Sequence, residues 1–323
     1  MKAITIDGDS LQWSECPKPR PEAHEVLLRV EATACNRADL LQRRGLYPPP
    51  DGASSILGLE AAGHIEEVGD AVTHWEPRQP ACALLAGGGY AEYVTVPASH
   101  LLPVPDSLRV AEAAALPEVF ATAYLNLFME AGLQAGDTAL VHAAASGVGT
   151  AAIQLCKAFD ITVFGTASEP KLDFLRRLGI DAAIDRHSQS FATHIQLLSD
   201  GRGVDVILDP VGASYFTDNL HLLNRGGRLV IIGLLGGRQA SLPLDRLLMR
   251  RLQVIGSVLR SRRACFKAQL IDELTRRVWP LFEEGTLTPV IDEFIPITDV
   301  ERAHERMADN DTIGKLVLTV DPP

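Results

Sequence analysis

The pattern of hydrophobic and polar positions changes character near residue 120. Before that point, short runs of alternating apolar and polar residues are separated by turns rich in Pro and Gly, which is typical of β-strands. The candidate strands in this part are 1–7, 25–32, 61–68, 81–85 and 91–96. No long helical period precedes 107–115, so residues 1–118 are predicted to be mostly β.

From residue 122 onward, apolar runs typical of strands alternate with helical periods. The candidate strands are 138–142, 161–165, 182–185, 204–208, 227–232 and 252–256. The candidate helices are 121–131, 148–158, 170–178, 188–198, 214–222 and 244–249. This alternation predicts right-handed βαβ units and a parallel sheet. A doubly wound sheet of six strands places its ligand crevice at the carboxyl ends of the strands.

The last part of the chain returns to a mixed pattern. A long helix is predicted at 263–284, followed by a strand at 291–297, a helix at 298–309 and a last strand at 315–320. We expect this tail to rejoin the first domain. The predicted domains are therefore 1–118 with 262–323, and an inserted domain at 119–261, with an active cleft between the two.

The octet 142–149 follows the first strand of the second domain. The dinucleotide fingerprint G-x-G-x-x-G is only partly met, because Ala144 and Ser146 occupy its first two glycine places and Gly149 the third. The octet alone equally fits a small-residue turn where a helix packs tightly on a sheet. Its position in the six-strand order favours pyrophosphate binding by the backbone of Ser146, Gly147, Val148 and Gly149.

The residues after the second strand bear on which dinucleotide binds. NAD-binding folds usually place Asp or Glu here, on the ribose 2′-hydroxyl; this chain has Thr166, Ala167 and Ser168. Ser168 and Lys171 suit a 2′-phosphate, and Arg186 after the third strand is a second cation. We therefore favour NADPH over NADH.

Two alternatives to the phosphate site stay open at this point. Ser168 can instead cap a helix that begins at Pro170, with Lys171 on a solvated face. Glu169 can serve as the ribose acid if the loop is one residue longer.

Composition excludes several classes of protein. The chain has 30 Lys and Arg against 41 Asp and Glu, a net charge of −11, which disfavours nucleic acid or an anionic membrane as the main partner. No apolar run reaches the roughly 18 residues of a membrane span, and the first residues lack a signal-peptide pattern. The five cysteines show no paired spacing, so a cytoplasmic location without disulfides is expected.

Five short motifs occur in an order that resembles a known family. They are 36–39 (NRAD), 58–63 (GLEAAG), 87–93 (GGGYAEY), 146–149 (SGVG) and 313–315 (IGK). Together they resemble the medium-chain dehydrogenase/reductase superfamily and, within it, the zinc-free quinone oxidoreductases. The stretches 45–50, 233–237 and 259–262 are similar to the tumour-suppressor-inducible quinone oxidoreductase branch. The resemblance implies a GroES-like catalytic domain, a Rossmann domain, NADPH and a homodimer.

The same resemblance implies two residues at the reacting groups. Asn36 would face the nicotinamide or the quinone oxygen, although an Asn here can also satisfy a buried loop backbone. Tyr47 would line the quinone pocket and stack on the ring or donate to its oxygen. The alternative for Tyr47 is a rim tyrosine that packs on the prolines 48–50.

Further positions are implied for the cofactor. Thr122 would meet the nicotinamide ribose or carboxamide, or else cap a helix. Lys315 would bind the cofactor or only flank the last strand. The segments that follow the fifth and sixth strands would hold the carboxamide by their backbone: Gly233, Leu234, Leu235, Val258, Leu259 and Arg260. No nucleophile-base pair is apparent, and His142 is interpreted as a structural residue at a strand end.

The missing metal ligands narrow the chemistry. The zinc alcohol dehydrogenases of this superfamily have Cys and His where this chain has Asn36 and Leu59, and only Cys82 occurs in the region of their structural zinc loop. An unactivated carbonyl needs a Lewis acid or a proton donor to accept hydride, whereas a quinone is already a strong electrophile. The sequence therefore predicts a zinc-independent NADPH:quinone reductase that acts on planar quinones.

Two rival functions remain. One is an NADPH-dependent reductase of enone or 2-alkenal double bonds on the same scaffold. The other is a cofactor-binding protein with a structural or RNA-binding role, which an acidic chain without a basic and aromatic stripe disfavours. One departure from the family pattern is Pro80, which lacks an N–H donor and is expected to alter the start of the strand at 81–85.

Overall fold

The computed structural model describes residues 1–8, 10–187 and 190–320, and the chain forms two compact units. Unit 1 comprises Met1–Ala121 and Leu259–Pro323, and unit 2 comprises Thr122–Val258. The predicted domain boundaries follow residues 118 and 261, whereas the boundaries between the units follow Ala121 and Val258.

The first part of unit 1 is mostly β. Its strands are β1 (Lys2–Asp7), β2 (Ser10–Glu15), β3 (Glu25–Ala34), β4 (Glu60–Val68), β5 (Pro80–Leu84), β6 (Tyr93–Pro97) and β7 (Leu101–Pro103). Its helices are α1 (Arg37–Arg43), α2 (Val110–Ala113), the start of α3 (Pro117–Tyr124) and a 3₁₀ turn at Ala98–His100. The helix α1 is absent from the sequence prediction, because seven residues are too few for a clear helical period.

Unit 2 alternates helix and strand as predicted. After a π-helical segment (Leu125–Glu130), its strands are β8 (Thr138–Val141), β9 (Thr162–Ala167), β10 (Ala182–Asp185), β11 (Val204–Asp209), β12 (Leu223–Ile231) and β13 (Gln253–Gly256). Its helices are α4 (Gly147–Ala158), α5 (Leu172–Arg177), α6 (Phe191–Leu198), α7 (Ala213–Leu222) and α8 (Leu244–Arg250), with a 3₁₀ turn at Glu169–Lys171. Residues 188 and 189 of the predicted helix 188–198 lie outside the described residues.

The tail completes unit 1. Its elements are α9 (Ala264–Arg277), α10 (Trp279–Glu283), β14 (Ile291–Pro296), a 3₁₀ turn (Ile297–Asp299), α11 (Val300–Ala308) and β15 (Lys315–Thr319). The single helix predicted at 263–284 is wrong, because the chain breaks between α9 and α10. Pro280, in the first turn of α10, has no N–H to continue the helical hydrogen bonds.

Two sheets organise the units. In unit 2 all strand pairs are parallel and the order is β10-β9-β8-β11-β12-β13, so the six strands follow the doubly wound order 3-2-1-4-5-6. In unit 1 the order is β14-β15-β3-β4-β5-β7, and β6 also pairs with β3. The predicted fold class, a mostly-β part and a parallel six-stranded sheet, is confirmed.

The sheet of unit 1 carries the tail strand next to the start of the chain. β15 runs antiparallel to β3, with Val317 opposite Ala34. β5 begins at Pro80 itself, at the first strand position, where proline is tolerated. No helix among the described residues is both long and apolar enough to cross a membrane.

Candidate functional site

A buried ion pair lies beside Asn36 in unit 1. Glu60 begins β4 and Lys315 begins β15; their side chains are 0% and 4% exposed, and Lys315 Nζ is 2.8 Å from Glu60 Oε1. Asn36 Nδ2 donates to Glu60 Oε1 at 2.9 Å, and Lys315 Nζ donates to Asn36 Oδ1 at 2.8 Å. Because the cation faces the amide oxygen and the carboxylate faces the amide nitrogen, the orientation of the Asn36 amide is fixed.

The remaining polar groups of this cluster are also paired. Lys315 Nζ donates to Cys35 O at 2.6 Å, so three oxygens surround the ammonium group inside unit 1. The second oxygen of Glu60 accepts from Glu118 N at 2.8 Å. The structure thus places Lys315 as the support of Asn36, a role that the sequence left open between cofactor ligand and strand flank.

Asp39 holds the backbone of the same loop. Its Oδ2 accepts from Asn36 N at 2.8 Å and from the Tyr90 hydroxyl at 3.1 Å, and its Oδ1 accepts from Gly58 N at 3.2 Å. Burial raises the pKa of Asp39 to about 6 against the opposing effect of these hydrogen bonds. Asn36 Nδ2 also donates to Ala34 O at 3.2 Å, so the amide satisfies loop backbone as well as binding Glu60.

The Tyr47 loop lies against a buried arginine of unit 1. Tyr47 is half-buried, and the Arg260 guanidinium carbon lies 5.3 Å from the centre of its ring. Burial, and then the charge of Glu118, raise the pKa of the Tyr47 phenol, while Arg260 opposes the rise. The side chain of Arg260 is thus committed within unit 1.

In unit 2, the octet forms a tight turn into the N-terminus of α4. Ser146 caps the helix by accepting from Gly149 N at 3.1 Å. A Cβ at Gly149 would lie 2.5 Å from Ala144 O, so only glycine fits there. The octet therefore forms the small-residue turn that tight packing of a helix requires. It also leads into the start of a 12-residue helix, whose first backbone N–H groups are suited to bind an anion.

The three residues proposed for a 2′-phosphate lie at neighbouring strand ends. Asp185 of β10 is opposite Ala167 of β9, and Arg186 N donates to Ala167 O at 2.9 Å, so Ser168 and Arg186 follow adjacent strands. Lys171 N donates to Ser168 O at 3.0 Å in the following 3₁₀ turn. Ser168 occupies the N-cap position of that turn, with Pro170 in its first turn, as the alternative interpretation expects, but its hydroxyl makes no capping hydrogen bond.

A chain of buried polar groups crosses the strand ends beneath this turn. His142 Nδ1 is 2.9 Å from Thr166 Oγ1, and His142 Nε2 is 2.8 Å from Asn219 Oδ1. Asn219 Nδ2 donates to Asp209 Oδ2 at 3.0 Å, so Asn219 Oδ1 must accept, and His142 carries its hydrogen on Nε2. Burial lowers the pKa of His142 to about 4, so the ring is neutral at pH 7 and structural.

The other residues implied for the cofactor occupy three places. Thr122 lies in the second turn of α3, so its interpretation as a helix cap is wrong: the helix begins at Pro117, where proline is favoured. Leu234 and Leu235 follow β12 and are exposed, with Leu235 N bonded to Pro210 O at 3.2 Å. After β13, one residue is exposed and two are buried: Val258, Leu259 and Arg260.

The sequence analysis did not predict several residues and contacts of this candidate site. Glu60 directly follows Leu59 in the motif 58–63, and an acid that begins an apolar strand was the available signal. The partners of Arg260 and Lys315 come from distant segments and left no local signal. Within the described residues, no group of three His, Cys, Asp or Glu side chains is placed to hold a metal.

Comparisons with known proteins agree with these features. Residues 22–106 match the family described as alcohol dehydrogenase GroES-like domain, and residues 147–276 match the family described as zinc-binding dehydrogenase. The rat synaptic vesicle membrane protein VAT-1 homolog (Rattus norvegicus) is 33% identical over 98% of this chain and 82% of its own length.

Three solved structures share the whole fold. An NAD-dependent alcohol dehydrogenase is 30% identical with a TM-score of 0.87, over 99% of this chain and 100% of the other. The CurK enoyl reductase is 29% identical with a TM-score of 0.87, over 98% of each chain. The mycobacterial Rv1454c complexed with NADPH is 28% identical with a TM-score of 0.88, over 99% and 100%.

These matches cover both units. At the two positions where the resemblance implies zinc ligands in the zinc-dependent members, this chain has Asn36 and Leu59. The likeness to dehydrogenases and reductases in sequence and fold indicates a nicotinamide cofactor. The chain belongs to the medium-chain dehydrogenase/reductase superfamily, as an oxidoreductase of its zinc-free, quinone oxidoreductase-like branch.

Proposed function

We propose that this protein is a zinc-independent, NADPH-dependent reductase of planar quinones. The observation that supports this most is the Asn36 cluster, in which the Glu60–Lys315 pair holds a neutral amide. The resemblance implies a zinc ligand at this position in the zinc-dependent members of the superfamily. The Asn36 cluster offers hydrogen bonds and a fixed geometry rather than Lewis-acid activation, which suits an acceptor that is already electrophilic. When bound, NADPH supplies the hydride, and the quinone takes it up together with a proton to become a hydroquinone.

The hydrogen bonds that Asn36 already makes determine which roles are proposed for Asn36 and for Tyr47. Both N–H groups of its amide are committed, one to Glu60 Oε1 and one to Ala34 O. Only a lone pair of Oδ1 is left for a ligand, since Lys315 takes the other. Asn36 is therefore proposed to accept from the nicotinamide carboxamide, and the phenol of Tyr47 to donate to the quinone oxygen.

Charge at the strand ends supports NADPH over NADH. A hydroxyl and two cations, Ser168, Lys171 and Arg186, follow β9 and β10, where an NAD-binding fold has a carboxylate for the ribose. The start of α4, with Ser146, Gly147, Val148 and Gly149, fits the pyrophosphate. Thr122, the backbone of 233–235 and that of 258–260 remain proposed contacts of the nicotinamide half.

The proposed reaction is tested by measuring the oxidation of NADPH with different acceptors. The purified protein is expected to oxidise NADPH with 1,2-naphthoquinone faster than with a 2-alkenal. Turnover with the alkenal alone would overturn the quinone proposal. In a Tyr47→Ala/Asn36→Ala double variant, quinone turnover is expected to fall by about a hundredfold, since it lacks a donor and a positioning group; wild-type turnover in that variant would remove both residues from the site.

One observation favours a second candidate, the reduction of activated double bonds. The CurK enoyl reductase shares the whole fold at 29% identity. An enone also spreads its developing charge onto an oxygen that Tyr47 can bond. The naphthoquinone and alkenal comparison separates the two, because only a double-bond reductase saturates the alkenal carbon–carbon bond.

The exposed edge of unit 2 supports a homodimer. β13 is the last strand of its sheet and pairs only with β12 among the described strands. Apolar side chains are exposed on α8, on β13 and just after it: Leu244, Leu248, Met249, Val254 and Val258. A Leu248→Asp variant is expected to sediment as a monomer, whereas Leu197→Asp, on the exposed face of α6, leaves a dimer. A wild-type monomer would contradict the proposal.

We also place the protein in a reducing compartment such as the cytoplasm. All five cysteines are free in the structure, and three of them are buried. Localisation of a tagged protein in cells tests this, and a disulfide found in the native protein would contradict it.

A further inference from the structure

Arg260 joins three separate segments of unit 1. The residue is 5% exposed and lies just after the chain has returned from unit 2. Its Nε donates to Ala86 O at 2.8 Å, its Nη1 to Tyr47 O at 3.2 Å and its Nη2 to Gln42 Oε1 at 2.7 Å. These acceptors belong to α1, to the loop that follows it and to the loop that follows β5, so one planar side chain sets their spacing.

All three acceptors are neutral oxygens, although the guanidinium is charged at any physiological pH. A second buried cation adds to the positive charge here, since Lys267 Nζ donates to Arg260 O at 2.7 Å. Glu118 and Asp39 act on Arg260 only through longer-range attraction. Among the residues that the structure describes, no carboxylate is paired with Arg260. A buried cation in this state costs folding free energy relative to an apolar residue, so packing alone does not account for it.

The aromatic ring next to this charge belongs to Tyr47. The guanidinium carbon is 5.3 Å from the ring centre, while the same group holds the backbone carbonyl of Tyr47. A cation at this distance stabilises negative charge on the phenol oxygen and so strengthens its O–H as a donor. The effect is largest when the acceptor oxygen becomes anionic, because a charged acceptor strengthens the hydrogen bond.

We propose that Arg260 is the positioning residue of the acceptor pocket, which fixes the Tyr47 loop and polarises the Tyr47 phenol toward the substrate oxygen. This rests on the proposed reduction at Tyr47. It also gives the arginine a role that the sequence did not predict, since the resemblance assigned residues 258–260 to the cofactor through their backbone.

Two substitutions separate the charge of Arg260 from its shape. Arg260→Met removes the charge and all three hydrogen bonds, and Arg260→Lys keeps the charge but loses the planar fork. Arg263→Met, at an exposed arginine three residues further on, is the matched control. We expect kcat with 1,2-naphthoquinone to fall by about tenfold or more in Arg260→Met and by less in Arg260→Lys, with the KM for NADPH unchanged in both.

A second measurement does not depend on turnover. The Tyr47 phenol is titrated by the NMR shift of its labelled ring carbon, which the Tyr47→Phe variant assigns. We expect the pKa of Tyr47 to rise in Arg260→Met, to stay near the wild-type value in Arg260→Lys and to be unchanged in Arg263→Met, because only the first loses the neighbouring cation.

The outcomes divide clearly. An unchanged Tyr47 pKa in Arg260→Met would overturn the proposal, and so would a raised KM for NADPH with kcat preserved, because that pattern marks a cofactor ligand. A shifted Tyr47 pKa in a protein that reduces no quinone would support the Arg260–Tyr47 coupling and reject the proposed reaction. If Arg260→Met does not fold, a Tyr47 pKa that differs between wild type and Arg260→Lys by as much as one unit contradicts the charge effect.

Discussion

The two units hold their polar groups in opposite ways. In unit 1, a carboxylate and an ammonium ion, Glu60 and Lys315, are buried against each other beside Asn36. In unit 2, the strand ends are crossed by a chain in which His142 is neutral and joins Thr166 to Asn219. Its cationic candidates, Lys171 and Arg186, lie at the surface end of the sheet instead.

This difference follows from what each unit is proposed to bind. A neutral quinone and a nicotinamide ring need groups of fixed direction, and a buried ion pair fixes direction because both partners are held by strong, charge-assisted bonds. A cofactor phosphate brings its own negative charge, so the cations that bind it need not be buried against a carboxylate of the protein. The comparison therefore predicts large stability effects in unit 1 and smaller or binding-only effects in unit 2.

The largest effect is expected for Lys315→Met. The change leaves the Glu60 carboxylate buried without its cation, which costs about 3–5 kcal/mol of unfolding free energy. Urea denaturation at pH 7 measures this. Lys315→Met/Glu60→Gln is expected to regain part of the loss, because no isolated charge is then buried. A single variant as stable as wild type would mean that the pair contributes nothing, and the contrast between the units would fail.

The second effect is a loss of stability at acidic pH that comes from His142 in unit 2. Burial lowers the pKa of His142 from 6.5 to about 4 in the folded protein, so the unfolded state binds a proton that the folded state does not; stability is therefore unaffected above pH 6.5 and falls progressively as the pH drops from 6.5 toward 4. Between pH 7 and pH 5 the cost is about 2 kcal/mol. His142→Gln keeps hydrogen-bonding groups but cannot titrate.

The stability of His142→Gln is therefore expected to vary less with pH than that of wild type. Titrating groups of unit 1, such as Asp39 and His304, make no contact with His142, so they act equally in both proteins and cancel in the difference. Urea denaturation at pH 7 and pH 5, with hydrogen exchange of the β8 and β11 amides as a local probe, checks this. Equal pH dependence in the two proteins would show that His142 is not the acid-sensitive group.

The sequence predicts what is local and misses what is distant. The rhythm of strands and helices after residue 122 predicts the parallel sheet, and the turn from β8 into α4 is visible because it is continuous in the chain. By contrast, Asn36 and Lys315 meet across 279 positions, and Arg260 and Tyr47 across 213. No local pattern encodes such pairs, because they depend on how the sheet of unit 1 brings β15 beside β3.

For some residues the sequence indicated the position but not the contacts. The resemblance pointed to Asn36, Tyr47 and Lys315, but only the hydrogen bonds show that both N–H groups of Asn36 are committed. It could not show that Arg260 points into unit 1, since residue type alone does not give a side chain its direction. The break before Pro280 was readable from proline chemistry, and the helix prediction neglected it.

The third effect is on cofactor choice in unit 2. Lys171→Ala and Arg186→Ala are each expected to weaken NADPH binding by about tenfold while NADH binding changes little, because each removes one charge-assisted contact to the 2′-phosphate. Fluorescence titration of both cofactors measures this. Arg176→Ala, which removes an exposed arginine paired with Asp173, is the control. Equal losses for NADH and NADPH would reject the phosphate assignment, and the unfolding free energy is expected to change by no more than about 1 kcal/mol in each of the three variants.

The smallest effect tests whether the contrast is confined to buried groups. Lys18 and Glu66 form a surface pair in unit 1 at 3.3 Å, and Lys157 and Asp181 form one in unit 2 at 2.8 Å, with all four side chains 34–40% exposed. Double-mutant cycles to alanine are expected to give coupling energies of about 0.2–1 kcal/mol in both units, falling as salt is added. Cycles are needed because Asp181 also accepts from Val163 N and Lys18 lies over the Tyr93 ring; those contacts cancel in the coupling energy. A coupling energy several times larger in unit 1 would mean that the two units differ in their whole charge distribution, and not only in the burial of Glu60 and Lys315.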